Sequence, residues 1–234
     1  MSVTSSVVGY PYRRRVNPAT EAREPGMMGR MRREVTTVEE LRAIVGHPNS
    51  YVANKVGPRL SSVQQDWLRA ASLGFVATTD AQGHLDVSPK GDPAGFVHII
   101  DDVTIAIPER PGNKRVDGYL NVLQRPRVGT VFVIPGRGDT LRINGSARVL
   151  ADADYFDAMV VEGKRPILAL EISVEEVFFH CAKAFLRSGA WKPESWNPTA
   201  VPSVAQLAKT FKPDLTQAQL DEYYSEDSMR RQLY

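Results

Sequence analysis

Between Gly74 and His180 the chain repeats one pattern: a short β-rich run, a tight polar turn, and a second β-rich run. Phe75–Thr79 leads through Asp80-Ala81-Gln82-Gly83 into Leu85–Ser88, and Phe96–Ile100 leads through Asp101-Asp102 into Val103–Ile107. Val128–Ile134, the turn Pro135-Gly136-Arg137-Gly138 and Thr140–Leu150 form a third pair, and Ile167–Ser173, continuing toward His180, gives a last strand. Paired β-rich runs joined by a few turn-forming residues read as antiparallel hairpins. Hairpins in series leave sheet edges with unpaired N–H and C=O groups, and closing the sheet on itself removes them. The expectation is a mainly β domain of six or seven antiparallel strands with inserted helices, closed as a barrel. A doubly wound α/β sheet needs strand–helix–strand crossovers, which this order mostly lacks.

Helices flank and interrupt the strands. Thr37 with Glu40 makes a capping box that opens a helix through Val45, ended by Gly46-His47-Pro48. Ser61 or Ser62, with Gln64 or Gln65, opens a second helix to Ala71. Val116–Gln124, Tyr155–Val161 and Val204–Phe211 read as short helices, and Thr216 with Gln219 caps a terminal one. Residues 1–34 are polar, basic and proline-bearing, and read as an extended or disordered arm. Residues 35–192 then hold the barrel and its helices, and 193–234 an irregular segment and a helix packing on it.

With 42% hydrophobic and 24% charged residues, a chain of 234 residues can bury a substantial core. A net charge of +2 argues against general affinity for nucleic acid or membrane. Cys181 is the only cysteine, which excludes an internal disulfide and suits a reducing, cytoplasmic compartment. No apolar run reaches the roughly 18 residues of a membrane span. Met1–Gly9 lacks the charged-then-apolar order of a signal peptide.

Two loops carry the chemistry. Ser88-Pro89-Lys90-Gly91 follows one strand, and Arg110-Pro111-Gly112-Asn113-Lys114-Arg115 follows another, directly ahead of the helix from Val116. Gly and Pro fix tight turns that gather backbone N–H groups, and a helix start favours an anion. Cations at a helix start oppose its dipole by about 0.3–1 kcal/mol each unless an anion sits nearby. Lys114 and Arg115 therefore point to a bound phosphate. A third group follows the last strand: His180-Cys181-Ala182-Lys183, then Arg187, Ser188 and Trp191. Lys183 and Arg187, four apart, share a helical face suited to ring carbonyls or phosphate. The four histidines have no ligand spacing among them, so no metal site is expected. Neither a Gly-x-Ser-x-Gly elbow nor a Gly-x-Gly-x-x-Gly turn between strand and helix occurs.

With these loops in this order, residues 60–192 resemble the pyridoxamine 5′-phosphate oxidase-like flavoproteins, the FMN-binding split barrels. The resemblance rests on Val87-Ser-Pro-Lys-Gly-Asp92, Ile107-Pro-Glu-Arg-Pro-Gly-Asn-Lys-Arg115, Val128-Gly-Thr-Val-Phe-Val-Ile-Pro-Gly136 and Thr140-Leu-Arg-Ile-Asn-Gly-Ser-Ala147. Val177-Phe-Phe-His-Cys-Ala-Lys-Ala184 resembles one FMN-dependent branch of the family. The resemblance implies an antiparallel split β-barrel and a homodimer with FMN at the subunit interface. By position it implies that Ser88, Pro89, Lys90, Arg110, Lys114 and Arg115 hold phosphate and ribityl. Ile107–Pro108 would lie along the isoalloxazine, with Asn121 supporting the flavin side of the helix. Thr140, Arg142, Lys183, Arg187 and Ser188 would approach from the other subunit, Lys183 or Arg187 stabilising reduced flavin. Thr140 stands where the vitamin-B6 oxidases usually carry a glutamine, and the tail after Trp191 lacks their arginine-bearing signature. The implied activity is hydride transfer between FMN and a small organic substrate, and the two departures count against pyridoxamine phosphate in that role. The alternatives are a deazaflavin (F420)-dependent reductase on the same barrel, a non-catalytic flavin carrier, and nucleic-acid binding through the basic arm, which the near-neutral charge disfavours.

Overall fold

The computed structural model describes residues 32–234, so most of the arm expected over residues 1–34 lies outside the described residues. Helix α1, Val38–Val45, starts where the Thr37 side chain accepts the Glu40 N–H, and none of its residues is buried. It lies in the first of two units, which ends at His47; the second is Pro48–Tyr234.

The second unit opens with α2, Ser50–Asn54, and α3, Ser62–Ala70, whose N-terminus is closed by a reciprocal Ser61–Gln64 capping box. Seven antiparallel strands follow: β1 Leu73–Thr79, β2 Leu85–Gly91, β3 His98–Ile99, β4 Thr104–Glu109, β5 Arg127–Val133, β6 Thr140–Leu150 and β7 Leu168–His180. Helix α4, Asp117–Gln124, sits between β4 and β5, and a 3₁₀ turn, Asp154–Met159, between β6 and β7. After β7 come α5 Lys183–Ser188, α6 Val204–Ala208, α7 Gln217–Tyr223 and α8 Glu226–Arg230. The three expected hairpins form, in the antiparallel pairs β1–β2, β3–β4 and β5–β6.

The strands make one sheet in the order β2-β1-β5-β6-β7-β4-β3. The edge strand β2 meets the penultimate strand β4 through side chains: Lys90 of β2 reaches Glu109 of β4 at 2.5 Å, and Arg110, just past β4, reaches Asp92, just past β2, at 2.7 Å. The sheet therefore curls into a barrel that is split where ion pairs replace ladder hydrogen bonds. Inward-facing Val76, Phe132, Leu141, Ile143, Ile172 and Val177 form the core with Trp67 and Leu68 of α3. The long β6–β7 ribbon shifts register between Asn144 and Gly145.

Three expectations need correction. Pro89–Gly91 is strand, not loop: β2 runs on past Ser88 through Pro89, opposite Phe75 of β1. β2 is an edge strand, where a residue without an N–H is tolerated. The Tyr155–Val161 helix is the shorter 3₁₀ turn, and the single terminal helix is two, α7 and α8.

Candidate functional site

On β2 the inward positions alternate as Asp86, Ser88 and Lys90, while Leu85, Val87 and Pro89 face outward and are exposed. A period of two is what a strand imposes, so one polar ridge of three side chains follows directly from the sequence. Opposite it, the chain leaves β4 at Glu109 and reaches α4 through a contorted loop. Asn113 Oδ1 accepts the Arg115 N–H at 3.0 Å. Lys114 and Val116 both adopt the left-handed region, at φ 62° and 47°. Val116 is the N-cap of α4, and no side chain caps this end. A β-branched residue in that region is strained, and an uncapped helix start leaves N–H groups to be satisfied by something else.

These two segments enclose a cavity of about 210 Å³, lined by Ser88, Pro89, Lys90, Asn113, Arg115 and the start of α4, with the carboxylates Asp86, Glu109 and Asp117. The Lys90 ammonium lies 5.1 Å from the Tyr119 ring centroid, and the Tyr119 hydroxyl donates to Glu109 Oε2 at 2.7 Å. Burial first, and the Glu109 carboxylate second, raise the Tyr119 hydroxyl well above its ordinary pKa, so it remains a donor. Arg115 Nε donates to Asp117 Oδ2 at 2.7 Å.

Of the residues expected at the site, Ser88, Pro89, Lys90 and Arg115 are brought together here. The others do not line this cavity. Ile107 and Pro108 are buried in β4, paired with Leu170 and Ala169 of β7. Arg110 is committed elsewhere: Nε to Asp92, Nη2 to the Met159 carbonyl at 2.7 Å and Nη1 to the Lys164 carbonyl at 3.4 Å. Asn121 is buried and donates to Thr78 Oγ1 at 3.0 Å, so it ties α4 to β1. Lys114 is not among the residues that line the cavity, although Asn113 and Arg115 on either side of it are. Thr140 is buried at the start of β6, opposite His180, and Arg142 lies over the Phe178 ring at 4.9 Å. Lys183 and Arg187 are exposed on α5, and the Ser188 hydroxyl donates to the Phe185 carbonyl at 3.1 Å. Sequence reasoning missed Asp86 and Glu109. Asp86 shares the strand parity of Ser88 and Lys90, a signal that was present.

The donor set suits a ligand with two kinds of polar group. Lys90, Arg115, the Ser88 hydroxyl and the uncapped helix start suit a phosphate, whereas Asp86 and Asp117 suit hydroxyl donors such as those of a ribityl chain. Among the described residues, no helix is long and apolar enough to cross a membrane.

The family model described as pyridoxamine 5′-phosphate oxidase matches residues 60–181. No curated protein matches the chain. Among solved structures, HupZ of Group A Streptococcus is similar at 23% identity and TM-score 0.42, over 51% of this chain and 93% of that one. A pyridoxamine 5′-phosphate oxidase candidate from Lactobacillus delbrueckii gives 24% and 0.41, over 52% and 95%. An F420 reductase gives 16% and 0.37, over 52% and 98%. With the family match spanning more than half of its length, the chain belongs to the pyridoxamine 5′-phosphate oxidase family, on a fold of the flavin-binding oxidoreductase type.

Proposed function

We propose that the protein is an FMN-dependent oxidoreductase that works as a homodimer on a small organic substrate. The observation that carries this reading is the convergence of Ser88, Lys90 and Arg115, from two separate segments, on one cavity at the uncapped start of α4. Lys90 and Arg115 hold the phosphate, the Ser88 hydroxyl donates to it, and Asp86 and Asp117 accept from the ribityl hydroxyls. The Lys90–Glu109–Tyr119 cluster fixes the ammonium before the ligand arrives, so little ordering entropy is lost on binding. When bound, the flavin supplies the hydride chemistry; the chain binds and orients it.

Thr140, Arg142, Lys183, Arg187 and Ser188 serve the site from the second subunit in this reading. Support comes from the outer sheet face, where Leu85 and Val87 are 72% and 62% exposed beside Phe75. Apolar residues grouped on one sheet face mark a surface to be covered.

Purification and FMN titration test the reading. The expected preparation is yellow or takes up FMN stoichiometrically, and Lys90→Ala and Arg115→Ala each weaken FMN about ten- to a hundredfold. Unchanged affinity in both variants, or a chain that binds F420 and not FMN, overturns it.

A further inference from the structure

A second cavity, of about 840 Å³, lies beside the first and shares Asn113 with it. One wall is made by Gly91–Pro93 and Arg110–Asn113 at the split of the barrel, the other by Tyr223, Tyr224, Met229, Leu233 and Tyr234 from the last two helices and beyond. Its size falls in the range of roughly 300–1,000 Å³ typical of small-molecule sites, which are lined by aromatic groups with a few polar ones.

The charges at this cavity are spent on each other. Asp92, with 4% of its side chain exposed, accepts from Arg110 Nε at 2.7 Å on one oxygen and from the Tyr234 hydroxyl at 2.7 Å on the other. The Arg110 guanidinium lies 5.6 Å from the Tyr234 ring centroid, and its two remaining nitrogens are held by carbonyls. Among the side chains that line the cavity, a ligand meets one neutralised ion pair and aromatic rings. Tyr223 and Tyr224 meet edge to face at 4.9 Å, and the Lys212 ammonium, which does not line the cavity, lies 4.7 and 5.7 Å from their ring centroids. Burial first, then the Asp92 carboxylate, push the Tyr234 hydroxyl up to about 12, so its bond to Asp92 persists across the physiological range.

We propose that this cavity binds a flat, uncharged aromatic molecule as the substrate, with Tyr234, clasped by Asp92, forming one wall. The inference rests on the flavin reading for the ligand's role, and on the cavity alone for its being held there. It names a substrate class for the site and gives the last helices a task.

The test titrates 2-methyl-1,4-naphthoquinone into the full chain, FMN-loaded and FMN-free, by calorimetry. Tyr234→Ala, Tyr234→Phe and Tyr223→Ala are run alongside. The expected result is saturable binding that Tyr234→Ala and Tyr223→Ala each weaken about tenfold, with FMN affinity unchanged and Tyr234→Phe intermediate. Tyr223 is half exposed, so Tyr223→Ala carries the test if Tyr234→Ala fails to fold. FMN binding without saturable naphthoquinone binding, or with equal binding by all variants, overturns the inference and leaves the flavin reading standing. Tyr-dependent naphthoquinone binding by a chain that takes no FMN does the reverse.

Discussion

Arg110 reads in the sequence as one more cation offered to a phosphate, in line with Lys114 and Arg115. In the structure its nitrogens go to Asp92 and to two carbonyls, and only 12% of its side chain is exposed. Truncation to alanine leaves the Asp92 carboxylate buried with only the Tyr234 hydroxyl for company, and removing one partner of a buried pair costs about 3–5 kcal/mol. Arg110→Ala is therefore expected to lose that much stability in urea unfolding. A variant as stable as the parent would mean that water already solvates Asp92. Nothing in the local sequence reveals which carboxylate claims Arg110, because Asp92 becomes its neighbour only when β2 and β4 meet. Ser88 and Lys90 were singled out from local composition, as members of a Gly- and Pro-bearing turn. The strand that this segment turns out to be is what places the two on one face.

The hairpins were legible at the element scale because turn chemistry and β-rich runs alternate within short windows. The path of β2 was not: Pro89 signals a loop in isolation, and it is accepted as strand only because β2 turns out to be an edge. The register shift in the β6–β7 ribbon was equally hidden, although it carries a strict local requirement. A Cβ placed on Gly145 would overlap the Ser173 carbonyl oxygen of the facing strand. Backbone cannot yield there without opening the ribbon that pairs Thr140–Leu150 with Ala169–His180. Gly145→Ala is expected to cost about 3 kcal/mol or more, or to leave the chain insoluble, read from thermal unfolding and soluble yield. Gly136→Ala, at a turn where a Cβ meets nothing within 4 Å but φ is +88°, should be milder.

For the whole molecule, the inner face of the sheet is filled by its own core, while the outer face of β1 and β2 presents Phe75, Leu85 and Val87 to solvent. Leu85 lies opposite Thr79 on that face and lines neither cavity, and a lysine ammonium there would sit in any apolar contact the face makes. Sedimentation is expected to find a dimer of the parent chain. Leu85→Lys should give a monomer with an unchanged circular dichroism spectrum and weaker FMN binding. A parent that sediments as a monomer, or a variant that still pairs and binds FMN equally, would remove the second subunit from the site. The sequence pointed to pairing only through family resemblance, since exposure of alternate strand residues depends on which face the helices cover.

The ammonium of Lys90 does two jobs, since it bridges the seam of the barrel to Glu109 and lines the cradle offered to an anion. A dianion there becomes a second partner for a cation that Glu109 already holds, so occupancy and seam closure are thermodynamically linked and loading the cradle should steady this edge of the barrel. The fastening of Asp92, Arg110 and Tyr234 shares none of these groups and is left as it stands.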